Sequence, residues 1–160
     1  MKVLDLFCCS GGAAVGYEKA SGDAEITGVD HVFKKEYPYN FIKADIVDFI
    51  QETPIGWFRE FDFIHASPPC QIHSRTKELA KAQGNLPSDV DYMPLMRHFL
   101  LHVEVPYVIE NVVEAWTGPW KKSGEKGTDP RMINTILCGS SFGLGVQRHR
   151  MFESSFPISS

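Results

Sequence analysis

Val3-Leu4-Asp5-Leu6-Phe7-Cys8-Cys9-Ser10-Gly11-Gly12-Ala13 is the stretch that decides the fold. Val3 to Phe7 is a short, mostly apolar run, which suits a buried strand. Small residues and a glycine pair follow, and a helical pattern runs from Ala13 to Ala20. The unit strand, small-residue turn, helix is how an α/β sheet begins.

The same alternation extends outward along the chain. Glu25 to Val29 predicts a second strand ending at Asp30, and Tyr39 to Ile42 a third ending near Asp45. A helix is expected from about Ile46 to Gln51, and a fourth strand from Phe61 to Ala66. Ser88 to His102 carries helical periodicity through Met93, Met96, Phe99 and Leu100. Pro106 to Asn111 holds a fifth strand, Tyr107-Val108-Ile109, and two more are expected near Thr135–Cys138 and Arg150–Ser154. Strands alternating with helices predict an α/β fold with a seven-stranded, mostly parallel sheet in three layers.

Composition sets the class. A chain of 160 residues with 43% hydrophobic content is expected to form one domain, residues 1–160, with a core large enough to need no staples. Nothing approaches the apolar length of a membrane span, and Met1-Lys2-Val3-Leu4-Asp5 is not a signal peptide. Four cysteines, two of them adjacent, do not make a secreted disulfide framework, so a cytoplasmic location is expected. The net charge of −4 counts against a large non-specific nucleic-acid interface. Lys121–Gly127 and Arg148-His149-Arg150 could still supply a local basic face, although the lysine stretch reads more simply as a solvated loop.

In open α/β sheets ligands bind beyond the carboxyl ends of the strands. Cys8 to Gly12, Asp30, Asp45, Cys70 and Glu110-Asn111 are all expected just past such ends. A glycine turn lets a ligand approach the backbone, and a helix start favours a carboxylate or phosphate. Asp30 is placed to accept from ribose hydroxyls, and Asp45 from an adenine amino group. Each aspartate taken alone reads equally as a helix cap. A nucleoside-containing cofactor is the economical joint reading. Ala66-Ser67-Pro68-Pro69-Cys70-Gln71 puts one thiol on a stiff turn, since each proline fixes its own φ and biases its predecessor. A thiolate with Glu110 nearby makes a nucleophile and acid pair, provided burial raises the carboxyl pKa. Arg148 and Arg150, two apart, are expected on one face of a strand, where they could lower the thiol pKa or hold an anionic group. The long stretches Gln71–Pro87 and Trp116–Asn134 are the segments able to reach a substrate, with Trp116 and Trp120 as stacking or packing groups.

These motifs resemble the cytosine-5 DNA methyltransferases. Asp5-Leu6-Phe7 with Gly11-Gly12, Gly28-Val29-Asp30 and Ala44-Asp45-Ile46 are similar to its cofactor motifs. Pro69-Cys70-Gln71 resembles its nucleophile motif, Glu110-Asn111-Val112 its acid motif, and Arg148-x-Arg150 its paired arginines. The resemblance runs from Met1 to about Phe156. It implies a Rossmann-like fold and S-adenosyl-L-methionine as cofactor, held by Phe7, Cys8, Ser10, Gly11, Gly12, Asp30, Asp45 and Pro68. It implies catalysis by Cys70, Glu110, Arg148 and Arg150, with Pro69, Gln71, Ser74 and Asn111 toward the substrate, and no metal. Cys70 would attack carbon 6 of a cytosine taken out of the DNA stack, and carbon 5 would then take the methyl.

The chain also departs from the pattern. Cys9 stands where a glycine is usual, His73 where an aromatic is common, and Gly145-Val146 where Pro-Gln precedes the arginines. The family continues past the paired arginines into a target-recognition domain and a returning segment of the cofactor pocket, and these lie outside the 160 residues. A second subunit is one expected source for them. Two other readings remain: a cofactor- or DNA-binding subunit without activity, and the same chemistry on single-stranded DNA, RNA or a nucleotide. A zinc deaminase is a poorer match, because its glutamate position holds Ser67 and its second cysteine His73.

Overall fold

Lys2–Leu6 forms β1, Gly12–Ser21 α1, Glu25–Asp30 β2 and Asn40–Lys43 β3. Ile46–Glu52 is α2, Ile55–Phe58 α3, Phe63–Ala66 β4 and Met93–Val103 α4. Tyr107–Asn111 is β5, Val113–Thr117 α5, Ile133–Cys138 β6 and His149–Ser154 β7, with a 3₁₀ turn over Gly139–Phe142. The computed structural model describes residues 1–70, 90–117 and 131–159. The strands make one seven-stranded sheet in the order β3-β2-β1-β4-β5-β7-β6. β1 runs parallel to β2 and β4, and β2 parallel to β3, whereas β6 and β7 are antiparallel. The expected mostly parallel α/β sheet is therefore present, with its seven strands.

Contacts divide the chain into two compact units. The first holds residues 1–67 and 98–108, the second 68–97 and 109–160.

In the first unit, β1 is buried from Val3 to Leu6, as its apolar run requires. Val3 packs with Ile26, Ala14, Cys8 and Tyr37, and Tyr17, Phe41 and Phe63 complete the cluster. The parallel register aligns Phe41, Gly28, Asp5 and His65 in one row across β3, β2, β1 and β4. Neighbours in such a row share a face of the sheet. Gly28 is the small member for a reason: a Cβ there would lie 2.4 Å from the Tyr37 hydroxyl and 2.7 Å from Cys8 Sγ. α3 was not expected from the sequence. It follows Pro54, which suits a helix start, and is held by edge-on ring contacts of Trp57 and Phe58 with Phe49 and with each other.

In the second unit, α4 begins at Met93, later than the expected Ser88. Asp91 Oδ1 accepts from the Met93 amide, and Pro94 sits in the first turn, where a missing N–H costs nothing. Ser88 itself lies outside the described residues. Half-buried Arg97 donates from Nε to Glu153 Oε2 at 2.7 Å and from Nη2 to Oε1, and Glu153 on β7 is fully buried. Two parallel bonds of this kind are the strongest ion-pair geometry available to a carboxylate. Among the described residues no helix is long and apolar enough to cross a membrane.

Candidate functional site

The first unit carries the cofactor-type residues. Between β1 and α1 the backbone turns through three positive φ values, 60° at Phe7, 47° at Cys9 and 87° at Gly11. Two of these are non-glycine residues, whose left-handed conformation is costly and persists only where the surroundings enforce it. The surroundings are visible. Ser67 Oγ donates to the Phe7 carbonyl at 3.3 Å, and the Cys9 amide donates to Asp30 Oδ2 at 3.0 Å. The Cys8 amide donates to the Val29 carbonyl at 3.2 Å. Asp30 Oδ1 accepts from the Val32 amide and lies 3.1 Å from His31 Nδ1. Asp30 is thus the brace that ties the first loop to the end of β2.

Ser10 and Gly12 are exposed at the head of α1, and no side chain caps that helix. Its first amides therefore remain available to an anionic group. A Cβ on Gly12 would meet nothing within 4 Å, whereas one on Gly11 would press Tyr37 at 3.0 Å. Asp45 caps α2, with Oδ1 accepting from the Val47 amide at 2.8 Å and the Asp48 amide at 3.5 Å. Cys8 turns inward: it is 5% exposed, and burial, with Asp5 and Asp30 nearby, pushes its thiol up to about 12. A neutral, core-packed thiol supports the loop from below. The open start of α1, the clear space over Gly12 and the Asp30 carboxylate suit a zwitterionic nucleoside such as S-adenosyl-L-methionine.

The second unit carries the residues expected to do the chemistry. Pro68 is buried, while Pro69 and the free thiol Cys70 are half-buried at the end of the diproline turn. Glu110 and Asn111 were expected just past β5, but they form its last two residues. Asn111 is 2% exposed, and its side chain is fully engaged. Nδ2 donates to the Pro68 carbonyl at 3.1 Å and reaches Met93 Sδ at 3.4 Å, while Oδ1 accepts from the Val112 amide at 2.8 Å. It fastens the turn that carries Cys70 to the end of β5.

Glu110 accepts from Arg150 Nε at 2.8 Å, and both side chains are about a quarter exposed, at 26% and 21%. Burial pushes the Glu110 carboxyl above its ordinary range, and the positive charges of Arg150 and Arg148 offset part of that rise. A carboxyl raised in this way keeps its proton further toward neutral pH, as an acid on this strand needs. β7 begins at His149, so Arg148 precedes the strand rather than sharing its face with Arg150. It is exposed, and its carbonyl accepts from the Gly139 amide at 3.1 Å. Gln71 and Ser74, with most of the two long stretches and Trp120, lie outside the described residues.

Two contributors escaped the sequence reading, and a third, Asp5, was read only as part of a cofactor motif. Ser67 and Met93 carry no local signal for their contacts. Asp5 does: an acid between Leu4 and Leu6 in a buried strand is out of place.

Residues 1–90 match the family described as C-5 cytosine-specific DNA methylase. A curated relative, type II methyltransferase M.NlaX of Neisseria lactamica, is 24% identical over 173 aligned positions, covering 97% of this chain and 52% of that protein. Among solved structures, the S. pombe Dnmt2 methyltransferase is similar with a TM-score of 0.62 at 18% identity, over 100% of this chain and 53% of that one. The METTL16 methyltransferase domain gives 0.53 at 13% identity, over 97% and 73%. These two share the fold. The chain spans about half the length of M.NlaX and of the Dnmt2 chain, at 52% and 53%.

Proposed function

Because the chain belongs to the C-5 cytosine-specific DNA methylase family, we propose that it methylates carbon 5 of cytosine in DNA through a covalent bond to Cys70. S-adenosyl-L-methionine is the cofactor of this family and, when bound, supplies a methyl group on a positively charged sulfur. The amides at the start of α1 and the open space over Gly12 favour the methionine end of that molecule, and Asp30 and Asp45 its ribose and adenine.

In this reading the Cys70 thiolate attacks carbon 6 of the base. Negative charge then spreads toward the ring nitrogen and the amine, where Glu110 meets it with a proton. Carbon 5 becomes nucleophilic and would take the methyl as the methyl–sulfur bond of the donor breaks, the sulfur leaving as a neutral thioether. Loss of the carbon-5 proton to a base and elimination of the thiolate restore the enzyme. Arg150 orients Glu110 and contacts the carbonyl oxygen of the base, with Arg148 adding positive charge. Cys8, Pro68 and Asn111 act as supports, and Ser10, Gly12 and Pro69 as contacts. Gln71 and Ser74 extend the substrate side.

One observation carries the reading. The Asn111–Pro68 bond fixes the cysteine turn to the residue next to Glu110, so nucleophile and acid hang from one dipeptide. A packing cysteine would need no such arrangement.

The test is covalent trapping. Incubation with cofactor and DNA carrying 5-fluorocytosine should give an adduct at Cys70 by mass spectrometry, and Cys70→Ala should give none, because fluorine cannot leave as a proton does. Parallel arms with single-stranded DNA, RNA and free nucleotide identify the substrate class. Absence of adduct in every arm would overturn the covalent mechanism. An adduct that forms only when a second protein is added would favour the binding-subunit reading of this chain by itself.

A further inference from the structure

Asp5 is fully buried, and among the described residues neither of its carboxylate oxygens makes a well-formed hydrogen bond, although the Tyr37 hydroxyl comes near enough to favour its ionised form. A buried carboxylate without a partner is costly, and native proteins keep one only where it serves something. The groups around it can be named element by element. Tyr37, from the connection between β2 and β3, crosses over Gly28 in the same row, and its buried hydroxyl lies beside Cys8 and offsets part of the cost of charging Asp5. Cys8 comes from the first loop and Asp30 from the end of β2, and both interact electrostatically with Asp5. His65 is the next member of the row on β4 and is bonded to Tyr17 of α1, Oη to Nδ1 at 2.8 Å.

No positive group stands among these neighbours. Tyr37 and the Cys8 thiol are neutral, and His65 is held neutral because burial lowers its pKa to about 4. Asp30 adds a second negative charge. The base of the loop is thus a place where a cation is favoured: the neutral Tyr37 hydroxyl eases the Asp5 charge only in part, and exposed His31 lies against Asp30, 3.1 Å from its Oδ1. Burial, with Asp30 adding to it and Tyr37 offsetting part, raises Asp5 to about 7, so its charge can change near neutrality.

We propose that Asp5 is a positioning and specificity-determining residue that serves as the long-range counter-charge for the sulfonium of the methyl donor. This rests on the cofactor reading given above. Asp5 does not touch the ligand; it acts through the electrostatic field at the floor of the loop. When the cationic donor binds, the ionised form of Asp5 gains a partner and the protonated form does not, so Asp5 releases its proton to solvent as the sulfonium arrives. The demethylated product, S-adenosylhomocysteine, keeps the ammonium and carboxylate but carries a neutral sulfur. It therefore draws less proton from Asp5 and is held less firmly. Transfer of the methyl group then weakens the protein's grip on what remains, by discharging the sulfur rather than by moving any residue.

The experiment is calorimetric titration of S-adenosyl-L-methionine and of S-adenosylhomocysteine at pH 6.5, in buffers of different ionisation enthalpy. The unmodified protein should release on the order of half a proton more with the charged donor than with the neutral product. Asp5→Asn should bind both and lose that difference, with the donor weakened roughly fivefold and the product little changed. Difference infrared spectroscopy on the unmodified protein gives a second readout should Asp5→Asn fold poorly: the band of a protonated carboxyl should bleach on adding the donor and less so on adding the product. Equal proton release for the two ligands, or an infrared band indifferent to sulfur charge, overturns the inference while leaving cofactor binding intact. Binding of neither ligand overturns the cofactor reading and this inference with it.

Discussion

Asn111 and Arg150 show how single side chains hold the Cys70 turn and the Glu110 carboxyl of the second unit in place. Asn111 spends both ends of its amide inside the protein, so Asn111→Ala removes the tether on Pro68 and leaves that buried carbonyl unpaired. The expected loss of stability is about 2 kcal/mol. Trapping at Cys70 should fall by at least roughly tenfold, since a nucleophile displaced by a fraction of its reach is ineffective. Binding of S-adenosyl-L-methionine, measured by calorimetry, should be unchanged. Arg150 acts on the acid. Its charge lowers a Glu110 carboxyl that burial has raised. Arg150→Gln removes that offset, so Glu110 should hold its proton to higher pH. On the proposed mechanism, the alkaline limb of the methyl-transfer profile should move upward in pH, even as the overall rate drops with the loss of the contact proposed for Arg150. A limb that stays in place would mean that another group carries the proton.

The elements divide into those that declare themselves locally and those fixed by distant partners. β1, α1, β2 and α2 were legible to within a residue or two, because apolar runs, a glycine turn and the Asp45 cap all act within one turn of chain. α3 was not, because four residues show no periodicity and its rings pack on partners from other segments. The start of α4 was misread because Met93, Met96 and Leu100 give the period but not the boundary, which Asp91 and Pro94 decide. In the site, the motif residues could be read from the sequence, whereas the ties that hold them could not. Asn111 to Pro68, Ser67 to Phe7 and Arg97 to Glu153 join residues 43, 60 and 56 positions apart. The last of these pins α4 to β7. Arg97→Met should cost about 3–5 kcal/mol in a denaturant melt, because it strands a fully buried Glu153 charge. The double change with Glu153→Leu should recover most of it, and failure to recover would mean the pair is needed for more than mutual neutralisation.

At the scale of the molecule, two buried groups push its acid stability in opposite directions. Asp5 has a folded pKa near 7, above its unfolded value, so its contribution is full at low pH and is lost as pH rises from about 4 through 7. His65 has a folded pKa near 4, below its unfolded value, so its contribution is full above about 6.5 and is lost as pH falls toward 4. Each is worth on the order of 3–4 kcal/mol over that window. The unliganded protein should therefore show a nearly level melting temperature between pH 5 and pH 7, tilted slightly toward acid by Glu110. Asp5→Asn should melt lower as pH falls, and His65→Gln higher, when followed by calorimetry across the same range. A wild-type curve that slopes as steeply as either variant would show that the two are not balanced. The order of residues in β5 also bears on how such a chain can change by descent. Glu110 and Asn111 are consecutive, so they point to opposite sides of one strand. Deleting one codon between Tyr107 and Ile109 would exchange their sides and remove the acid and the tether in a single event. Codon gains and losses in this strand are thus filtered as all-or-none, and viable variation there is confined to substitution.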